Sequence, residues 1–335
     1  MAVEGARQGS TCFCMRRILL LLGALLRISQ AVLRISGYQS SFDGDPDVFL
    51  IGVQKGGTSS LTQLLVDDLK LFVTTCPDSE AHFFSLKFHD QEFYRYIEGF
   101  KSHRRMVGDR PSFDGSTTYF PSAEAFHRMK ALFSPDSLRK KKFILSLREP
   151  ISRDFSWFNH IYGECKRQNI GYCPHPGGYY FHDTFHDYVQ RTFTSAQSPY
   201  GFYLQHLKDI LAVIPRNQLF IYSFEMMTGE KGDDVLRRLL YFLGYSPDIL
   251  KENRLPHENP RSKHYDGLVE KESVHKVLCS DIRFLNQTYA AANEGLVDFI
   301  NSHPDRPVSE PPFPEFAERF SERCIDDDGS EIYLF

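Results

Sequence analysis

The chain has 335 residues, 41% hydrophobic and 24% charged. That is globular composition, long enough for one large α/β domain or two small ones, and it excludes a disordered or fibrous chain. The net charge of −4 with histidines neutral excludes nucleic-acid binding through overall charge, yet leaves room for a small anion held by a local cluster of positive groups. Aromatic residues, at 14% with 29 Phe, are read as a Phe-rich core.

At the N-terminus Arg16 and Arg17 precede an apolar run, Ile18 to Leu26, which Arg27 interrupts before a second run from Ala31 to Ile35. Such a run falls short of the roughly 20 residues that span a bilayer and has the length of a signal-peptide core. Residues 1–46 are read as a leader and linker, with a signal peptide or type II signal anchor preferred over an amphipathic leader or transit peptide. Cys165 and Cys173 bracket a polar loop and could close a small disulfide in an oxidising lumen; buried free thiols are the alternative. No Cys-x-x-Cys pair is present, so no zinc site is expected. The sequon Asn286-Gln287-Thr288 matters only in a secreted chain.

Asp47 to Val53 is nearly continuously apolar and predicts a buried strand. A tight loop, Gln54 to Gly57, leads into a helix from Thr58 to Leu69, with Leu61, Leu64, Leu65 and Leu69 on one face. Leu71 to Thr75 is a second strand candidate, and residues 85–105 are helical in part. Lys142 to Leu147 is another buried strand, and Pro150 opens a helix through Tyr162. Residues 163–200 read as a long loop. A helix from Tyr203 to Ile214, a strand from Leu219 to Tyr222 and a helix from Asp233 to Leu243, stopped by Gly244, follow. Residues 251–267 are loop-like, Ser273 to Ala292 is helical, and residues 303–335 read as a Pro-rich, then acidic, tail. Alternating strands and helices over 47–302 imply one three-layer α/β domain around a mainly parallel sheet, of the P-loop NTPase type.

The loop reads Gly52-Val53-Gln54-Lys55-Gly56-Gly57-Thr58-Ser59-Ser60. Backbone N–H groups between a strand and a helix start make an anion cradle, and glycines allow close approach. Gly52 and Gly57 have ATPase spacing, but Thr58 stands where that motif needs Lys, and the lysine is displaced to Lys55. The loop therefore suits an anion better than a metal-dependent nucleotide hydrolase.

Val48 to Leu61 resembles the 5′-phosphosulfate loop of sulfotransferases that use 3′-phosphoadenosine 5′-phosphosulfate (PAPS), in particular the Golgi glycosaminoglycan branch that includes heparan sulfate 3-O- and N-sulfotransferases. The resemblance implies that Lys55, Gly56, Gly57, Thr58, Ser59 and Ser60 hold the phosphosulfate and that the Lys55 ammonium meets charge on the leaving phosphate, with no metal required. Lys142 to Tyr162 resembles the family's 3′-phosphate motif, which implies Arg148 and Ser156 as ligands. Arginine suits this role because its charge is permanent and its fork bidentate. Arg153 is read as a helper at that site or an ordinary surface residue, with the surface preferred, and Trp157 as lining the nucleotide site or belonging to the core.

Glu80-Ala81-His82-Phe83-Phe84 resembles the segment that carries the family's general base. Glu80 is preferred as that base, with His82 orienting it or serving instead. Asp114 to Phe120 resembles a segment that in the family carries a lysine; that cation is missing unless Arg110 replaces it. Ser198-Pro199-Tyr200 and the following helix match a further family segment. Arg261 and Lys263 stand where the family has a basic loop over the nucleotide, although its glycine is absent.

The resemblance spans about residues 47–300 and implies sulfuryl transfer from PAPS to a hydroxyl, with a carbohydrate or glycosaminoglycan acceptor, in the Golgi lumen, with possible membrane anchorage. A P-loop kinase or NTPase, and a sulfotransferase-like binding protein without turnover, are the competing readings.

Overall fold

Val48–Gly52 forms β1, and every residue of it is buried, as expected of a strand covered on both faces. The structure is a computed structural model that describes residues 45–74, 80–108, 110–168, 184–194, 199–250, 277–316, 324–326 and 328–332. β1 pairs in parallel with β2 (Phe113–Asp114) on one side and β3 (Lys142–Leu147) on the other, and β3 pairs in parallel with β4 (Leu219–Ser223). The sheet order is β2-β1-β3-β4. The chain therefore leaves β1 toward one side and β3 toward the other, so the C-terminal ends of β1 and β3 flank a topological switch point, where open α/β sheets hold ligands.

Strand periodicity divides the core in two. Phe49, Ile51, Phe143, Leu145 and Ile221 face one layer, with Phe83, Phe84, Tyr96, Tyr119 and Phe126. Val48, Leu50, Ile144, Phe220 and Tyr222 face the other, with Leu61, Leu64, Leu65, Leu236 and Leu239. Much of the aromatic surplus goes into the first layer, where Phe49 stacks on Phe143 at 5.3 Å and meets Phe84 edge-on at 6.3 Å. These two layers around one parallel sheet are the three-layer α/β architecture.

Helix α1 (Thr58–Thr62) starts after Gly57 and continues as a π-helical turn, Gln63–Asp68, instead of running as one regular helix. α2 (Phe83–Leu86), α3 (Asp90–Val107), α4 (Ala123–Leu132) and α5 (Pro135–Leu138) lie between β1 and β3 in sequence. The strand expected over Leu71 to Thr75 is reduced to an isolated bridge between Val73 and Ser112, and Phe113–Asp114 takes the sheet position instead. α6 (Pro150–Gln168) begins at Pro150 as expected but runs on into the presumed long loop, which also holds α7 (Phe185–Thr194). α8 (Tyr203–Leu211), α9 (Phe224–Thr228), α10 (Gly232–Leu243), α11 (Cys279–Ala292) and α12 (Leu296–Asn301) complete the helices used below. Gly244 ends α10 at φ 93°, in the left-handed region that favours glycine.

Residues beyond 302 are part of this packing. Glu310 is buried against Arg216 and donates no surface to solvent beyond 3%, and Phe313 joins the first core layer. Cys324 forms a disulfide with Cys279 at the start of α11, and Cys324–Ile325 pairs with Glu331–Ile332 as a short antiparallel ribbon. The expected Cys165–Cys173 pairing lies outside the described residues, as do residues 1–44, Arg261 and Lys263. The sequon at Asn286 falls in the middle of α11 rather than in a loop. No described helix is long and apolar enough to cross a membrane.

Candidate active site

The turn after β1 is built from backbone that only small residues tolerate. A Cβ on Gly56 would stand 3.0 Å from Val53 O and 3.1 Å from Ser146 O, and one on Gly57, at φ +75°, would stand 2.8 Å from the Phe224 ring. β3 fixes the turn: Val53 N–H donates to Ser146 O at 2.8 Å, and Ser146 Oγ donates to Gly56 O at 2.6 Å. Thr58 and Ser60 are buried, whereas Ser59 is exposed. Lys55 sits at φ 69°, and its Nζ lies 5.9 Å from the ring centre of Trp157, the only tryptophan in the chain. A left-handed conformation at a non-glycine costs on the order of 1–2 kcal/mol and persists only where surrounding contacts impose it.

Arg148 follows β3 directly. Its Nη1 donates to Lys55 O at 2.9 Å, its guanidinium lies 4.8 Å from the Phe224 ring centre, and its own carbonyl accepts from Tyr203 Oη at 2.8 Å. Burial lowers the Arg148 pKa, and Glu225, Tyr203 and Glu149 act against that shift. The next residue, Glu149, caps α6 by accepting Ile151 N–H at 2.9 Å and Ser152 N–H at 2.7 Å. This acidic cap carries a raised pKa through burial. Ser156 lies two turns into α6 and is half-buried.

Glu80 and His82 come from the segment before α2. Thr117 Oγ1 donates to Glu80 Oε2 at 3.0 Å, and His82 Nε2 stands 3.4 Å from the same oxygen. His82 Nδ1 pairs with Thr118 Oγ1 at 2.9 Å, and His82 N–H donates to Ser116 Oγ at 2.8 Å. His82 too is left-handed, at φ 54°. Burial raises the Glu80 pKa; the Thr117 hydrogen bonds and the Lys55 charge pull it back. The geometric link is Phe120 N–H, which donates to Ile51 O at 2.8 Å and so sets the segment that holds Glu80 and His82 beside the end of β1, where the loop begins.

The run Ser116-Thr117-Thr118 therefore aims both Glu80 and His82, a role that sequence reasoning missed although the family segment was visible. Asp114 anchors the run from below: it is fully buried and accepts Tyr96 Oη at 2.7 Å, Tyr119 Oη at 2.8 Å and Ser116 N–H at 3.0 Å. Burial raises its pKa. Arg110 does not stand in for the missing lysine. It donates to Lys70 O at 2.8 Å and lines a cavity with Asp47, Val48 and Lys142, at the strand starts and thus the opposite end of the sheet from the loop. Arg153 is a second correction: it is buried, at 1% exposure, because Asp154 pairs with it and the loop lies over it.

The arrangement offers backbone donors, two cations and a hydrogen-bonded carboxylate around the β1–β3 crevice. That set suits transfer of an anionic group to a nucleophile losing a proton.

Comparison with known proteins agrees with this chemistry. Two curated mouse proteins, heparan sulfate glucosamine 3-O-sulfotransferase 3B1 and 3A1, are each 27% identical over 205 residues, covering 59% of this chain and 46% of the relative. The chain thus spans less than half the length of those relatives. A solved sulfotransferase from Alicyclobacillus acidocaldarius shares the fold, with a TM-score of 0.50 at 20% identity over 79% of this chain and 98% of that one. Residues 45–266, more than half of the chain, match the sulfotransferase domain, and the protein belongs to that family.

Proposed function

We propose that this protein transfers a sulfuryl group from PAPS to a hydroxyl of a carbohydrate, with a glycosaminoglycan such as heparan sulfate as the acceptor class. One observation carries the reading: Arg148 donates to the backbone of Lys55 while the segment that holds Glu80 hydrogen-bonds the end of β1, Phe120 N–H to Ile51 O at 2.8 Å, which supports donor binding, leaving-group stabilisation and proton removal in one crevice. The loop glycines support the donor reading, since a side chain on Gly56 would collide with the Val53 and Ser146 carbonyls and displace the turn whose amides would face the phosphosulfate. The named activity of the curated relatives supports the acceptor class.

In this reading the loop amides, Thr58, Ser59 and Ser60 hold the 5′-phosphosulfate, and Arg148 and Ser156 hold the 3′-phosphate, with Arg261 and Lys263 proposed above the nucleotide. The acceptor oxygen attacks sulfur in line. Its proton passes to Glu80, the bond from sulfur to the phosphate oxygen breaks, and 3′-phosphoadenosine 5′-phosphate leaves with its new charge met by Lys55. His82, fixed by Thr118, orients the Glu80 carboxylate. A luminal location in the secretory pathway belongs to the same proposal, and the Cys279–Cys324 disulfide supports it, since such bonds persist in oxidising compartments.

The test is calorimetric titration with 3′-phosphoadenosine 5′-phosphate, AMP and ATP–Mg²⁺, for the wild type and Arg148→Ala. The 3′-phosphorylated nucleotide should bind most tightly, and the substitution should cost about 1.5–3 kcal/mol, roughly 10- to 150-fold, the range for hydrogen bonds to charged groups. Equal or tighter binding of ATP–Mg²⁺, with Arg148 irrelevant, would move the protein to the kinase reading.

A further inference from the structure

Arg153, in the first turns of α6, is almost wholly inside the protein, at 1% exposure. Arginine is rarely found there unless paired. Its Nη1 donates to Asp154 Oδ1 at 2.6 Å, and its Nε donates to Gln54 O, in the donor loop, at 3.2 Å. The Tyr200 ring centre lies 4.5 Å from the guanidinium and that of Trp157 5.9 Å. Asp154 in turn accepts Tyr188 Oη at 3.1 Å from α7 and Tyr289 Oη from α11. One side chain thus connects the loop to a buried acid held by two further helices. The remaining nitrogen, Nη2, is buried and has no hydrogen-bond partner among the described residues.

Packing alone does not call for this arrangement. A buried ion pair loses in desolvation much of what it gains in attraction, and apolar residues of similar volume often serve as well or better. Ile151, Phe155 and Phe158 already dock α6 through an apolar cluster. An apolar residue could not hold the Gln54 carbonyl. In a trans peptide the C=O and the following N–H point in opposite directions, so drawing Gln54 O toward Arg153 turns the Lys55 N–H the other way, into the loop. Arg148 grips the next carbonyl, that of Lys55. Two arginines of the β3–α6 unit thereby hold successive carbonyls of the donor loop and maintain Lys55 in its left-handed conformation.

We infer that Arg153 is a positioning residue for the donor loop, aiming the Lys55 amide and side chain at the 5′-phosphosulfate while Arg148 and Ser156 serve the 3′-phosphate. The inference rests on the proposed PAPS reading. It is tested by calorimetric titration of 3′-phosphoadenosine 5′-phosphate and AMP into the wild type, Arg153→Met and Arg153→Lys, with thermal unfolding of each. Arg153→Met should weaken both nucleotides by about tenfold, the loss of one charge-assisted hydrogen bond, and leave their affinity ratio at the wild-type value. Arg153→Lys, which keeps the charge beside Asp154 without the fork, should fall between the two, and it carries the test alone if the methionine variant does not fold. Unchanged affinity in a folded variant overturns the inference. So does a ratio that collapses toward one, because Ser156 shares α6 and a merely structural arginine would disturb the 3′-phosphate contact too. A wild type that binds neither nucleotide refutes the donor reading itself and removes the inference with it.

Discussion

Replacing Glu310 by alanine should unfold this protein at a markedly lower temperature, although the residue lies far along the chain from the catalytic crevice. Glu310 Oε1 accepts Arg216 Nη2 at 2.5 Å and Arg306 Nε at 2.9 Å; Oε2 accepts Arg216 Nη1 at 3.0 Å and the Ile221 N–H at 2.7 Å. Ile221 belongs to β4, which stands at the edge of the sheet among the described residues, so the carboxylate covers a strand donor that no described strand takes. Its loss leaves Arg216, whose side chain is 1% exposed, as a buried charge without a counter-charge. Breaking a buried pair in this way costs about 3–5 kcal/mol. For a domain of this size each kcal/mol lowers Tm by about 2–4 °C, so the expected drop is roughly 6–20 °C. Glu310→Gln keeps acceptor oxygen for Ile221 but not the charge, and should fall part of the way. Circular dichroism melts of the three proteins measure this. A Glu310→Ala midpoint within about 2 °C of wild type would show that the residues after 302 are not integral to the domain and refute the packing argument.

Gly57→Ala should disrupt the loop, because φ +75° disfavours any Cβ and the new methyl would stand 2.8 Å from the Phe224 ring on which Arg148 lies. Its melting point should drop by a few degrees, consistent with about 1–2 kcal/mol, and nucleotide affinity should fall with it; unaltered titrations would count against the cradle. Glu80→Gln should lower the rate of sulfuryl transfer from PAPS to heparan sulfate by about 10²–10⁴-fold with nucleotide binding retained. If Glu80 is the base, its raised pKa should place an acid limb on the wild-type rate, with activity climbing as the carboxyl deprotonates above the ordinary glutamate range. The sign for stability is opposite, since a raised pKa in the fold favours folding at low pH and that contribution fades as pH rises through the shifted value. A pH–rate profile without that limb would remove the base role from Glu80, and full activity in Glu80→Gln would transfer it to His82.

The strand Val48–Gly52, the glycine turn after it, Arg148 at the end of β3 and the helix start at Pro150 were legible without coordinates. Each depends on residues within about ten positions: an apolar run buried on both faces, a turn that admits only glycine, a proline that cannot donate. The same local logic failed where partners are distant. Leu71 to Thr75 has strand character, yet of its described residues, 71–74, only Val73 bridges to the sheet, because Phe113 and Asp114 take the place beside β1. Arg153 reads as a surface residue until Gln54, Asp154, Tyr188 and Tyr289 close around it. Arg110 has the right charge for the crevice and lies at the wrong end of the strands. Thr117 and Thr118 are unremarkable hydroxyls in sequence; folding sets them against Glu80 and His82. Sequence by itself determined the backbone devices and the chemical groups, since propensity and patterning act over a turn or two. Tertiary structure decided which charges are buried, which pair and which face the crevice, since those depend on contacts between residues tens to more than a hundred positions apart, such as Arg216 with Glu310 and Asp154 with Tyr289.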